Sequence, residues 1–302
     1  MRLAGPEAAV RAIGKLVVVG VGLIGGSCAL ALRRAGAVGE IVGLGRSRHS
    51  IVRALELGVI DRAASGWADA LSGADLVLLA IPVGQMGAVL ACLAPHLEAQ
   101  TVLTDAGSTK GDVVAAARAQ LGERTGQFVP GHPIAGAEKS GVEAASAALF
   151  AGKRVVITPL AENAPEAVQR VRALWEGCGA RITEMAPEAH DRVFAAVSHL
   201  PHVLAFCLVD ALARRENADT LFGFAASGFR DFTRIAGSDP EMWRDICIAN
   251  REALLVEIDR YADELAGARG RIAAADAAAI ETLFRRAREA RNAWAEARAS
   301  DP

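Results

Sequence analysis

The chain has 302 residues, 52% of them hydrophobic, and a formal net charge of −2. That is enough apolar material for one large or two modest packed domains, and the charge balance excludes nucleic acid as the main partner. Five scattered cysteines with no CxxC spacing argue against a disulfide framework and for reduced thiols in a cytoplasmic protein.

No apolar run reaches about 18 residues, so no membrane span is expected. The N-terminal MRLAGPEAAVRAIG lacks a signal peptide's apolar core and reads as a short tail. KLVVVG (15–20) is a β-branched run ending in glycine, as a buried parallel strand should be. A helix from about Ile24 to Ala35 follows, then a strand at EIVGL (40–44) and a helix at SIVRALELG (50–58) that stops at Gly58. DLVLLAIP (75–82) and TVLTD (101–105) read as strands three and four, KGDVVAAARAQLG (110–122) as a helix and QFVPG (127–131) as a fifth strand. RVVITP (154–159) and ARITEM (180–185) read as two more strands around a helix near 165–176. This alternation predicts an α/β fold: a doubly wound, Rossmann-type parallel sheet with helices on both faces, over residues 13–186. From residue 187 to 298 the period becomes 3.6 and no strand is convincing, which predicts an all-α C-terminal domain. Its apolar periodicity, as in VFAAVSHLPHVLAFCLVDAL, leaves few polar positions for a solvent face and predicts a homodimer through this domain.

GVGLIGG supplies G-x-G-x-x-G as Gly20, Gly22 and Gly25, placed after a strand and opening a helix. The first glycine permits a tight turn, the second lets a pyrophosphate approach the backbone, and the third lets helix and strand pack closely. Leu23 and Ile24 complete the loop, and the helix N-terminus turns unpaired N–H groups toward the phosphates. An acidic residue at the end of the second strand would mark NAD, but Gly45 stands there, followed by Arg46, Ser47 and Arg48. Two guanidiniums and a hydroxyl suit a 2′-phosphate, so NADP is the expected cofactor, with NAD open; solvated loop arginines are the plain alternative.

Ligands of doubly wound sheets bind outside the carboxyl ends of the strands, where DAGSTKG (105–111) and GHPIAGAEKSG (131–141) are expected. His132 is placed in a stiff loop just beyond the fifth strand, suited to take a proton as an alcohol is oxidised. In SHLPH (198–202), His199 and His202 are three apart and Pro201 predicts a kink. With no clear third ligand they are a poor zinc site, and no metal is expected. His199 is placed toward the substrate, whereas His202 reads equally as a core or capping group. In SGFRDFTRIAGSDPEMWRDICIANR, Ser238 or Asp239 caps a helix begun by Pro240. Arg230 and Arg234 suggest an anionic substrate, although salt bridges to Asp231 and Asp245 should occupy at least one arginine of the segment.

GVGLIGGS, DAGSTKG, GHPIAGAEKSG, SHLPH and FRDFTRIAGSDPEMWRDI, in this order, resemble the prephenate/arogenate dehydrogenases of tyrosine biosynthesis over about residues 14 to 290. The resemblance implies a nicotinamide domain followed by a helical dimerisation domain. It implies NAD(P)+-dependent oxidative decarboxylation of prephenate to 4-hydroxyphenylpyruvate, or of arogenate to tyrosine. By the same resemblance His132 is the base, Ser108 orients it and the substrate, His199 lies in the substrate site, Arg234 binds a carboxylate, and Glu138 and Lys139 stand beside the pocket. Because the sequence ends near the helical domain, no fused chorismate mutase or regulatory ACT domain is expected. The alternatives are an arogenate-specific enzyme, another two-domain dehydrogenase of the β-hydroxyacid type, a nucleotide-sensing protein without turnover, and a zinc-stabilised interaction module.

Overall fold

The structure is a computed structural model and describes residues 13–136 and 139–299; of the N-terminal tail read from the sequence, residues 1–12 lie outside them, while Ile13 and Gly14 belong to the first strand and not to a tail. The chain opens with β1 (Ile13–Val19), α1 (Leu23–Arg34), β2 (Val38–Leu44), α2 (Arg48–Glu56), β3 (Arg62–Ala63), α3 (Trp67–Leu71), β4 (Leu76–Leu79), α4 (Met86–Leu93), β5 (Val102–Asp105) and α5 (Gly111–Leu121). The five strands form one parallel sheet in the order β3-β2-β1-β4-β5. Leu16 through Val19 on the central β1 are all buried. Leu16 and Val18 join a core on one face and Val17 and Val19 a core on the other, which is why the strand reads as an unbroken apolar run. The edge strand β3 and the helices α3 and α4 add to the elements expected from the sequence.

The expected fifth strand divides in two. Phe128 bridges Leu103 in parallel, and the Val129 N–H donates to the Leu103 carbonyl at 2.9 Å, extending the first sheet. After Pro130 the chain turns away as β6 (Gly131–Pro133), which pairs antiparallel with β7 (Arg154–Ile157). The helix α6 (Pro165–Gly177) leads to β8 (Arg181–Glu184), parallel to β7, so the second sheet runs β6-β7-β8. The wholly parallel sheet expected for this half is therefore corrected to two sheets. Pro130 supplies the reason, since it has no N–H to continue a ladder, while its carbonyl accepts from the Thr158 N–H at 2.9 Å.

Strand gives way to helix at Pro187. α7 (Pro187–Phe194), a π turn (Ala195–His199) and α8 (Leu200–Ala213) run as one continuous helix of 27 residues. The kink expected at Pro201 takes the form of this π turn, in which the Leu200 N–H reaches back five residues to the Ala195 carbonyl. By length and composition alone the helix is apolar enough to cross a membrane, a test that core helices of packed proteins also pass; its histidines, serine and proline interrupt the apolar run that the sequence was searched for. Only 22% of its most apolar stretch is buried within the chain, while its inner side carries the buried His190, Asp191 and His199. α9 (Ala218–Gly223), α10 (Ser227–Thr233) and α11 (Pro240–Ala249) follow. Asp239 caps α11 by accepting from the Met242 N–H at 2.8 Å.

One compact unit ends at Asn250 and a second begins at Arg251. The second holds α12 (Arg251–Ala273) and α13 (Ala277–Ala299), joined by a tight turn in which the Asp276 carboxylate accepts from the Ala279 N–H at 3.0 Å.

Candidate active site

At the end of β1, Gly20 has φ +90, and a Cβ there would lie 2.3 Å from the Ala80 carbonyl oxygen. A Cβ on Gly25 would lie 2.3 Å from the Gly20 carbonyl oxygen and 2.7 Å from Val18, so α1 rests directly on β1. Gly22, the N-cap of α1, differs: a Cβ there would meet nothing within 4 Å. The backbone is open on that side, and no side chain caps the first N–H groups of the helix. This arrangement fits a pyrophosphate laid across Gly22, Leu23 and Ile24. At the end of β2, Arg46 and Arg48 are exposed and Ser47 caps α2, its hydroxyl accepting from the Ser50 N–H at 3.1 Å.

The histidines gather where β5 and β6 meet α7. Asp105 and Lys110 are both fully buried and pair at 2.5 Å. A buried ion pair holds only if its remaining capacity is used. Here the Asp105 carboxylate also accepts from the N–H groups of Gly107 at 2.8 Å and Gly131 at 3.0 Å, and Lys110 Nζ donates to the Gly131 carbonyl at 2.7 Å. Both sides of Gly131 are thereby fixed immediately before His132. His132 Nδ1 lies 2.8 Å from His190 Nε2, and His190 Nδ1 lies 2.8 Å from Asp191 Oδ1. Asp191 accepts from the N–H groups of Lys110 at 2.8 Å and Gly111 at 2.7 Å, where α5 begins. The Phe194 ring packs on both imidazoles, 4.8 Å from His132 and 4.4 Å from His190.

At the C-terminal end of α11, the Asn250 amide nitrogen donates to the Asp191 carbonyl at 2.8 Å and lies 3.1 Å from Nδ1 of His199, which stands farther along the helix of His190. An amide nitrogen can only donate, so His199 Nδ1 accepts and Nε2 carries the proton. That buried Nε2–H has no partner among the described residues. His202 stacks on Trp243 at 3.5 Å and bonds the Ser198 carbonyl through Nδ1 at 2.9 Å.

Burial, with the nearby His190, Lys110 and His199, holds His132 well below the ordinary histidine value. Burial likewise lowers His190, against the pull of Asp191, and brings His199 down to about 4. For Asp191 burial acts upward, but the hydrogen bonds from His190, Gly111 and Lys110 prevail and keep its carboxyl below the ordinary range. The cluster thus holds neutral imidazoles beside one carboxylate and one compensated ion pair.

A family model described as the nucleotide-binding domain of prephenate dehydrogenase matches residues 28–184, and one described as its dimerization domain matches residues 186–286. The chain belongs to the prephenate dehydrogenase family. It is 40% identical over 279 residues to prephenate dehydrogenase of Bacillus subtilis, covering 92% of this chain and 75% of that one. The solved prephenate dehydrogenase of Aquifex aeolicus, in complex with hydroxyphenyl propionate and NAD+, superposes with a TM-score of 0.87 at 38% identity over 93% of this chain and 98% of that one. The Synechocystis arogenate dehydrogenase superposes with a TM-score of 0.78 at 30% identity over 93% and 99%. The chain is accordingly a nicotinamide-dependent oxidoreductase of the prephenate dehydrogenase family.

Within this family fold, the residues singled out from sequence separate into three groups. His132 and His199 both bond into the network around Asp191, though His132 lies on β6 itself and not in a loop beyond a strand. Ser108 is half-buried after β5 and makes no hydrogen bond to a described residue; His132 Nδ1 is held by His190 instead. Arg234 stands exposed at the start of a 3-10 turn (Arg234–Gly237), and its charge reaches His202. Lys139 is exposed, and Glu138 lies outside the described residues. Arg230 and Arg244 pair with Asp231 and Asp245, as anticipated. The sequence reading missed His190, Asp191, Asn250 and the role of Lys110. AHDR (189–192) carries no spacing signal, whereas Lys110 sits inside DAGSTKG, a motif already marked.

Proposed function

We propose that the chain catalyses the oxidative decarboxylation of prephenate, with arogenate as the second candidate. The observation that carries this reading is the pairing of two neutral imidazoles of opposite capacity. His132 has Nδ1 engaged, leaving Nε2 available to substrate; His199 presents a buried N–H with no partner among the described residues. His132 takes the proton of the ring hydroxyl, and His199 donates to a substrate oxygen. As CO2 leaves, the ring becomes aromatic and its oxygen recovers the proton, so His132 returns to its neutral form without net proton release. A nicotinamide held there would supply the acceptor for the hydride of the carbinol carbon. Gly20, Gly22, Leu23, Ile24 and Gly25 would hold its pyrophosphate. Arg234 is assigned to a substrate carboxylate, Glu138 and Lys139 to positions beside the pocket, and Ser108 to orienting the substrate. Proximity and one base supply most of the acceleration.

Arg46 and Arg48 support NADP over NAD, since both are exposed and neither makes an ion pair with a described residue. The poorly covered apolar side of the Pro187–Ala213 helix supports a homodimer, and five free thiols accord with a cytoplasmic location.

The test is steady-state kinetics with prephenate and arogenate against NADP+ and NAD+, following CO2 together with reduced cofactor. Prephenate with NADP+ should give the highest kcat/KM, and Arg46→Ala should narrow the cofactor gap. His132→Asn should keep cofactor binding and lower kcat by roughly 10²–10⁴. Reduced cofactor without CO2 would point to a β-hydroxyacid-type reaction and reject the proposal.

A further inference from the structure

We infer that His190 and Asp191 are positioning residues that fix the tautomer of His132, so that its proton sits on Nδ1 and its lone pair on Nε2. The inference rests on the reading of His132 as the base.

Asp191 is the anchor. Its carboxylate is turned to three donors: the N–H groups of Lys110 and Gly111 and the His190 ring. An ionised carboxylate only accepts, so the proton between Asp191 and His190 belongs to His190 Nδ1. A neutral imidazole carries one N–H, which leaves His190 Nε2 as an acceptor. The group 2.8 Å away is His132 Nδ1, and it must therefore donate. One acceptor at the start of α5 thus determines the state of a ring two hydrogen bonds away. The tautomer exposes a lone pair at Nε2, the form a base needs. Phe194, packed on both rings, limits their rotation.

The charged and titratable groups facing His132 are His190 with Asp191 on α7, Lys110 with Asp105 beside β6, and His199 on the π turn. Lys110 is paired, so Asp191 is the acceptor that sets the direction of the chain of hydrogen bonds.

Nitrogen NMR of the imidazoles in the unmodified, full-length protein decides the matter directly. The chain has 6 histidines, and the His132 signal is identified by its loss in His132→Asn. At neutral pH His132 should be protonated at Nδ1 alone. His190→Phe keeps an aromatic ring against Phe194 but removes the acceptor; it should move the His132 proton to Nε2 and lower kcat on the order of 10²-fold, with KM for cofactor unchanged. His190→Gln, whose amide oxygen can accept, should recover part of that loss. Asp191→Asn places an NH2 among three donors. His190 is the only one of them able to answer by changing tautomer, and the Asn variant should lose rate in the same way. A wild-type His132 protonated at Nε2, or a His190→Phe protein with full kcat, overturns the inference. Full activity in His132→Asn would instead overturn the reading of His132 as the base.

Discussion

His132, His190, His199 and His202 all bind their protons less tightly than an exposed imidazole, each mainly because burial penalises the charged form. The unfolded chain recovers the ordinary value near 6.5, so below that pH it binds more protons than the folded chain. Folded stability contributed by these groups is fully present above about 6.5. For His199 it is lost as pH falls from there toward its folded value of about 4. That difference corresponds to roughly 3 kcal/mol for His199 alone. Urea midpoints measured across this window should fall with acidification, and His199→Gln should flatten the slope. An unchanged slope would place the acid sensitivity elsewhere. The same sign governs rate. His132 acts neutral, so kcat/KM should climb with pH on a limb lying acid of 6.5 and be level above it. His132 and His199 were legible in the sequence because each sits in a distinctive motif. His190 and Asp191 were not, because adjacent residues on a helix say nothing of the strand end they meet.

Among the elements, the glycine loop offers the cleanest separation of fold from function. Gly25→Ala drives a methyl into the Gly20 carbonyl of the tight turn and into Val18 of the core, and should lower the melting temperature markedly. Gly22→Ala adds a methyl in open space. It should leave the melting temperature nearly unchanged while raising KM for the nicotinamide cofactor, because the methyl stands where the pyrophosphate approaches. If calorimetry and cofactor titration show the reverse order, the loop has been misread. The strands of the first sheet were legible from their apolar runs. The turn at Pro130 was harder, since Phe128 and Val129 continue one sheet while Gly131 to Pro133 begin another. A single five-residue run cannot announce that its two halves pair in opposite senses. The proline gave the physical clue, as a residue unable to extend a central ladder.

At the scale of the whole molecule, association is the property to test. Val193 and Val197 on the Pro187–Ala213 helix are exposed, and so are Leu265 and Phe284 of the second unit. Large apolar side chains left outward in such numbers, on each unit taken by itself, are the features that support the proposed homodimer. Light scattering at micromolar concentration should give a dimer, and a stable monomer would count against the assignment. The change from strand to helix after residue 186 was legible because the hydrophobic period changes there. The close packing of α7 with the strand ends was not, since it depends on side-chain bonds made at right angles to any periodicity.

The helix that carries Val193 and Val197 on its outer side also carries His190 and Asp191 on its inner side, within a few residues. In the proposed dimer, assembly and proton handling would therefore share one helix. Diluting the enzyme past its dissociation point should register first as a drop in specific activity, before any loss of helical signal, so that turnover becomes a gauge of subunit exchange.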